Sequence, residues 1–111
     1  MKLNIPALKT IPNGIEGHIV HIDRFGNIIT NITYEDIKAV IPEGVDLGSV
    51  SVGISGQEIK GLKKYYAEAA PGAPGAIINS SGVLEIFMFK QNAKTALSVK
   101  RRDVVRFWVS R

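Results

Sequence analysis

The chain has 111 residues, with 14 lysines and arginines against 10 aspartates and glutamates, and no cysteine. This length is enough for one domain with one core, and the lack of cysteine excludes a disulfide framework or a thiolate metal site. No run approaches the roughly 18 to 20 apolar residues of a membrane-spanning helix, so we expect a cytoplasmic protein without membrane contact. The net charge of +4 favours solubility and a mild attraction to anions over any particular partner.

The positive charge is concentrated in two places. One group comprises Lys60, Lys63 and Lys64, and the other, towards the carboxy terminus, comprises Lys94, Lys100, Arg101, Arg102, Arg106 and Arg111. Neither group is interleaved with the aromatic side chains of a platform that binds single-stranded nucleic acid. We interpret both as solvated basic surface and keep a nucleic-acid-binding barrel as the alternative.

The amino-terminal segment is predicted to be extended. Residues 1–15 contain Pro6 and Pro12, and each proline biases the residue before it away from helix. We expect this segment to be an arm or linker, and residues 16–111 to form the barrel domain that the later elements predict.

A break in the chain at Phe25-Gly26-Asn27 follows the first predicted strand. Gly17 to Asp23 alternates with period two, which is typical of a strand. Its His18 and His21 have no further ligand at a metal-binding spacing, so we interpret both as ordinary residues of the strand faces. Glycine at the break accepts a left-handed backbone, so the chain can turn there and present its neighbours at a rim.

The remaining elements are predicted from turn residues and apolar alternation. Thr33 is expected to cap a short helix, with Asp36 as its capping-box partner. The predicted elements are a strand at 27–32, a helix at 34–40, a hairpin of strands 49–54 and 57–62, an extended segment at 63–69, a loop at 71–75, strands at 76–79 and 83–89 joined by a turn at 80–82, a helix near 92–97 and a strand at 104–110. Six or seven short strands with one or two short helices predict an all-β fold, a small antiparallel Greek-key-like barrel.

The residues beside the break carry chemistry that suits a purine. The ring of Phe25 can stack on a base, and the carboxamide of Asn27 offers a donor and an acceptor that match the edge of adenine. The alternative is that Phe25 belongs to the core and that Asn27 is a turn residue tolerating a positive φ. The turn Asn79-Ser80-Ser81-Gly82 likewise offers backbone groups and hydroxyls to a purine, or is an ordinary hairpin connection.

Catalytic patterns are missing from the sequence. It has no Ser-His-Asp spacing, no HExxH and no glycine-rich phosphate loop, so we predict no catalytic residue and no metal ligand. Tyr65 and Tyr66 would lie on opposite faces of an extended segment, so that one of them can face a site.

The run from Asp23 to Ile32, followed by the run from Asn79 to Ile86, resembles the two signatures of the carboxy-terminal domain of S-adenosylmethionine hydrolases. These enzymes are the hydroxide adenosyltransferases related to fluorinases and chlorinases. The resemblance extends from about Gly17 to the end of the chain, and two motifs in the right order are more specific than either alone. It implies a barrel fold and S-adenosyl-L-methionine as substrate, with no other cofactor.

The resemblance also implies roles for single residues. Positions that would contact adenine are Phe25, Asn27, Tyr65 with Tyr66 as its alternative, Ser80, Ser81, and the backbone near Lys90 and Gln91. Asp23 and Glu85 match the motifs but are interpreted as structural residues of the turn and the barrel.

In the family, an amino-terminal domain supplies the catalytic groups, and the barrel of a neighbouring subunit covers the adenine within a trimer. The resemblance therefore implies a catalytic partner domain, a homotrimer and no activity in the isolated chain, which would be an excised domain or one subunit of a split enzyme. Besides the nucleic-acid-binding barrel, a purely structural oligomerisation domain is the remaining alternative.

Overall fold

Short antiparallel strands and two brief helices make up the part of the protein that a computed structural model describes, residues 7–70, 72–88 and 92–109. The strands are β1 (Lys9–Ile11), β2 (Gly14–Ile22), β3 (Ile28–Thr33), β4 (Val50–Ile54), β5 (Gln57–Lys60), β6 (Pro74–Ile78), β7 (Val83–Met88) and β8 (Val104–Val109). The α-helices are α1 (Tyr34–Val40) and α2 (Ala93–Leu97), and single 3-10 turns lie at Leu47–Ser49 and Tyr66–Glu68. Neither of these α-helices is long and apolar enough to cross a membrane.

Seven of these strands form a nearly closed antiparallel barrel. Their order is β5-β4-β8-β2-β3-β7-β6, and the short β1 pairs with the start of β2. The ends of the sheet meet where Lys63, just after β5, bridges to Ile77 of β6 in parallel, with the amide of Lys63 donating to Ala76 O at 2.7 Å. The predicted all-β barrel with two short helices is confirmed.

The core fills the barrel because the strands alternate. On β3, Ile28, Thr30 and Ile32 point inward and are essentially inaccessible, and the residues between them face outward, as the pleat requires. The polar Thr30 is satisfied inside by donating to Leu84 O at 2.8 Å. A second, smaller apolar cluster of Ala69, Ile77 and Phe87 lies on the outer face of β6 and β7.

Elements that depend on local signals match the prediction. Helix α1 spans the predicted residues and begins at a reciprocal capping box, in which the amide of Asp36 donates to Thr33 Oγ1 and the amide of Thr33 donates to Asp36 Oδ2. The hairpin of β4 and β5 turns at Ser55-Gly56, both with positive φ. These elements are specified by neighbouring residues, so the sequence predicts them well.

Two segments differ from the prediction. Residues 63–69 are not extended throughout, because the Glu68 carboxylate accepts the amides of Lys64 and Tyr65 and closes a 3-10 turn. Strand β6 begins at Pro74, inside the predicted loop; a proline is tolerated at the first position of a strand at the edge of a sheet because no ladder bond needs its missing N–H.

Part of the segment predicted as an arm is paired. Strand β1 lies within it, and β2 begins at Gly14, where it pairs with Trp108 of β8. The division into an arm at 1–15 and a domain at 16–111 stays a prediction.

Candidate functional site

The turn between β2 and β3 is held by the Asp23 side chain. Asp23 Oδ1 accepts the amides of Phe25 and Asn27, each at 2.9 Å, and the main chain closes the turn with bonds from Gly26 N to Asp23 O at 2.9 Å and from Asp23 N to Asn27 O at 3.0 Å. Gly26 has a φ of 82°, and a Cβ there would lie 2.0 Å from Asn92 Oδ1. The turn is therefore rigid and requires glycine at this position.

This turn exposes one aromatic ring and one carboxamide. Phe25 is 66% exposed, so the interpretation of Phe25 as a core residue is wrong, and the Arg24 guanidinium carbon lies 5.4 Å from the ring centroid. The half-buried Asn27 does not have a positive φ, which in this turn belongs to Gly26. Within the described residues, the Asn27 carboxamide makes no hydrogen bond.

A second turn, between β6 and β7, is held in the same way by Asn79. Its Oδ1 accepts the amides of Ser81 at 2.9 Å and Val83 at 3.3 Å, and Gly82, with a φ of 79°, takes the position that Gly26 occupies in the first turn. Ser80 and Ser81 are exposed. Their hydroxyls form no hydrogen bond to another described residue, so this turn also presents polar groups to solvent.

The two turns lie at opposite ends of β3. Ile28, beside the first turn, pairs with Ile86, whereas Thr33 pairs with Val83 beside the second turn. A register irregularity between Ile29 and Thr33 sets five steps of β3 against three steps of β7, which corresponds to about 10–17 Å along the sheet. Phe25 and Asn27 are thus brought together, but Ser80 and Ser81 are not brought to the same point.

Between the two turns, Tyr66 and Glu85 form a polar contact on the outer face of β7. Glu85 is 5% exposed and accepts a hydrogen bond from Asn79 Nδ2 at 3.0 Å. The Tyr66 phenol also bonds to Glu85, and the pKa of Tyr66 is raised by burial, then by the charge and hydrogen bond of Glu85, and then by the charge of Asp23. The Tyr66 ring packs edge-on against Phe87, with centroids 4.8 Å apart.

The two neighbouring tyrosines therefore have different environments. Tyr65 is 66% exposed, and its amide is bonded to Glu68, whereas Tyr66 lies over the strand between the two turns. The assignment of Tyr65, with Tyr66 as its alternative, as the aromatic contact to adenine stays a prediction. Lys90 and Gln91 lie outside the described residues.

The basic residues are partly neutralised by carboxylates. Arg106 pairs with Glu16 at 3.0 Å, Lys60 with Glu58 at 3.7 Å and Lys100 with Asp103 at 3.8 Å. An open groove of about 530 Å³ beside the first turn is lined by Ile22, Asp23, Lys94, Lys100 and Arg101.

Histidines and carboxylates do not assemble into a metal site among the described residues. His18 donates its amide to Asn31 Oδ1 at 2.8 Å, and its Nδ1 is buried without a partner in the described part of the chain. Among the described residues, the hydrogen bonds of the two turns and of Glu85 join no nucleophile to a base.

The sequence predicts the two turns, but it does not predict the contact between Tyr66 and Glu85 that lies between them. It indicates a structural role for Glu85, and the bond from Asn79 fits that role, but the contact of Glu85 with Tyr66 is new. The available signal is a single acidic residue facing outward in the otherwise apolar strand Val83–Met88.

The fold and the site together define a small barrel domain that carries two polar turns at opposite ends of β3. The family model of the SAM hydroxide adenosyltransferase C-terminal domain matches residues 17–106. The chain belongs to this family, and the resemblance carried by the two motifs is confirmed.

Similar proteins agree with this membership. The chain is 30% identical over 96 residues to the (R)-S-adenosyl-L-methionine hydrolase of Thermus thermophilus, covering 86% of this chain and 33% of that protein. It is 35% identical over 95 residues to the hydrolase of the same name from Methanocaldococcus jannaschii, covering 78% and 33%. The chain thus spans about a third of the length of these relatives.

Two solved structures share the fold. An uncharacterized conserved protein from Thermotoga maritima superimposes with a TM-score of 0.78 at 26% identity, over 96% of this chain and 40% of that one. A conserved hypothetical protein from Thermus thermophilus gives a TM-score of 0.60 at 27% identity, over 83% and 32%.

Proposed function

We propose that this domain is the substrate-recognising part of an S-adenosyl-L-methionine hydrolase that forms adenosine and methionine, and that the first turn binds the adenine. The observation that carries the proposal is the presence of an exposed ring, Phe25, and a carboxamide without a hydrogen bond to the described residues, Asn27, on one turn fixed by Asp23. The names of the two hydrolases supply the substrate.

The chemistry of the two side chains matches the base. Stacking on an aromatic ring contributes about 1–3 kcal/mol per base, and the Asn27 carboxamide can pair its donor and acceptor with N7 and the exocyclic amine of adenine. Because Asp23 and Gly26 already fix the backbone of this turn, little conformational entropy is lost when the base binds.

The second turn is assigned to the same substrate. Ser80 and Ser81 stay candidates for contacts to adenine, and their position at the other end of β3 from Phe25 also suits a contact to another part of the substrate. Tyr66, between the turns, lines the middle of the surface, and Tyr65 and Lys90 remain candidates for further contacts to adenine.

Hydrolysis itself requires groups that this domain does not supply. The oxygen of water attacks the ribose C5′, the C5′–S bond breaks with its electron pair passing to sulfur, and a proton is released. We assign the groups that orient the water to a separate catalytic domain, corresponding to the remainder of the related hydrolases. The complete enzyme is proposed to be a cytoplasmic homotrimer in which barrel and catalytic domain share each site, with no cofactor beyond the substrate.

Chromatographic detection of adenosine tests this function. The complete enzyme should release adenosine and methionine from S-adenosyl-L-methionine, and the isolated 111-residue chain should release none. If the complete enzyme leaves the substrate intact, the proposal fails; if the isolated chain turns it over at an enzymatic rate, the assignment of catalysis to another domain fails. The family match does not favour a nucleic-acid-binding barrel or a purely structural domain.

A further inference from the structure

Glu85 is a buried carboxylate that has no cationic partner among the described residues. It is 5% exposed, and the ion pairs in this part of the chain involve the carboxylates of Glu16, Glu35, Glu58 and Asp103. Burying an acidic side chain is costly unless its charge is paired. Such a residue therefore calls for a functional explanation.

The two bonds to Glu85 come from neutral groups. Asn79 Nδ2 donates at 3.0 Å, and the Tyr66 phenol is the second partner. Both can act as donors, which suits an ionised carboxylate that only accepts. They orient the group and satisfy its lone pairs, but they do not neutralise its negative charge.

The position of Glu85 is between the two turns. Its cross-strand partner on β3 is Ile29, one residue from the end that carries the first turn, and Asn79 ties it to the second turn. Asp23 adds another negative charge close enough to influence the Tyr66 phenol. The basic groove beside the first turn includes Asp23 but not Glu85.

We propose that Glu85 recognises a positively charged group of S-adenosyl-L-methionine, its sulfonium or its α-ammonium group, and makes the surface selective for the charged substrate over neutral adenosine derivatives. This inference rests on the function proposed above. Glu85 is a specificity-determining residue that acts through its charge while Tyr66 and Asn79 hold it in place.

The expected effect is large enough to measure. For a substrate cation assumed to lie roughly 8–12 Å from Glu85, an effective dielectric constant of about 20 gives a change in the dissociation constant of about tenfold to thirtyfold. Removing the charge should therefore weaken a cationic ligand by that factor and leave an uncharged ligand unaffected.

Calorimetric titration of the complete enzyme with three unreactive adenosine ligands tests the inference. Sinefungin carries an amine at the sulfonium position and an α-ammonium group, S-adenosylhomocysteine carries only the α-ammonium group, and 5′-methylthioadenosine carries neither. In Glu85→Gln, sinefungin should bind about tenfold to thirtyfold more weakly, and 5′-methylthioadenosine within about twofold of the wild type. If S-adenosylhomocysteine loses affinity to the same extent, the α-ammonium group is the partner of Glu85. If its affinity is unchanged, the sulfonium is the partner.

Two further variants guard against misfolding. Glu58→Gln removes a surface carboxylate from β5 and should leave all three affinities unchanged. Ile29→Lys places a cation opposite an intact Glu85, and it should weaken sinefungin selectively when compared with Ile29→Met.

Equal losses for sinefungin and 5′-methylthioadenosine in both Glu85→Gln and Ile29→Lys, or no loss for either ligand, overturn the role of Glu85. The proposed function would survive that result. If the wild-type enzyme binds none of the three ligands, the proposed function fails first.

Discussion

Asp23 and Asn79 hold two turns with the same set of four hydrogen bonds. In each turn the side-chain Oδ1 accepts hydrogen bonds from the amides two and four residues ahead. In the main chain, the glycine amide donates to the carbonyl of Asp23 or Asn79, and the amide of Asp23 or Asn79 donates to the carbonyl of the residue after the glycine. The same hydrogen-bonded turn therefore occurs at both ends of β3. The two side chains differ in their second terminal atom, which is Oδ2 in Asp23 and Nδ2 in Asn79. Asn79 Nδ2 also donates a hydrogen bond to Glu85.

This difference predicts opposite tolerance to charge. Asp23→Asn keeps the accepting oxygen and should change the free energy of unfolding by less than about 0.5 kcal/mol. Asn79→Asp removes the donor to Glu85 and places two carboxylates together, so it should cost about 1–3 kcal/mol. Urea denaturation followed by circular dichroism measures both; equal stability of the two variants would contradict the bond from Asn79 to Glu85.

The two glycines predict a second contrast. Both have positive φ, but a Cβ on Gly26 would meet Asn92 at 2.0 Å, whereas no atom lies within 4 Å of one on Gly82. Gly82→Ala should cost about 1 kcal/mol for its backbone conformation alone. Gly26→Ala should cost about 1 kcal/mol more, because the Asn92 side chain must move away and give up its cap on the amide of Thr95. Thermal denaturation of the two variants measures this difference, and equal losses of stability in both would show that the contact with Asn92 is not tight.

The raised pKa of Tyr66 predicts a pH dependence of stability. Above pH 10 the phenol ionises in the unfolded chain before it does so in the folded one, so the unfolded state holds fewer protons and stability falls as pH rises from 10 towards the folded pKa. Below pH 10 this contribution is fully present. Ultraviolet titration should show one late-titrating tyrosine that disappears in Tyr66→Phe.

Tyr65→Phe is the control for that titration, because Tyr65 is exposed and its amide is bonded to Glu68 instead of Glu85. The Tyr65→Phe substitution should leave the late transition of Tyr66 unchanged. If the late transition survives in Tyr66→Phe, the contact with Glu85 is not present in solution.

Local elements are predictable from sequence, and elements defined by distant contacts are not. The capping residues Thr33 and Asp36 lie within one turn of helix, so the predicted start of α1 is correct. The 3-10 turn at Tyr66–Glu68 is closed by the nearby Glu68 side chain, but the packing of the following Ala69 with Ile77 and Phe87 joins segments far apart in sequence, and no local pattern indicates it.

The same distinction applies to the site. The Asp23 turn is visible in the sequence because its residues are adjacent. The distance between the two turns follows from Ile28 pairing with Ile86, which no local pattern indicates. The choice between Tyr65 and Tyr66 likewise depends on Phe87, so the sequence leaves both tyrosines open.

The Asn27 carboxamide is the group that we assign to the edge of adenine, and its truncation tests this assignment directly. In the complete enzyme, Asn27→Ala should weaken 5′-methylthioadenosine by about tenfold to a hundredfold, or about 1–3 kcal/mol, because the base edge loses its partner in a closed site. The melting temperature should stay unchanged, since Asn27 has no positive φ and its side chain makes no bond to the described residues. Near-normal binding together with a lowered melting temperature would contradict the assignment of the first turn to adenine.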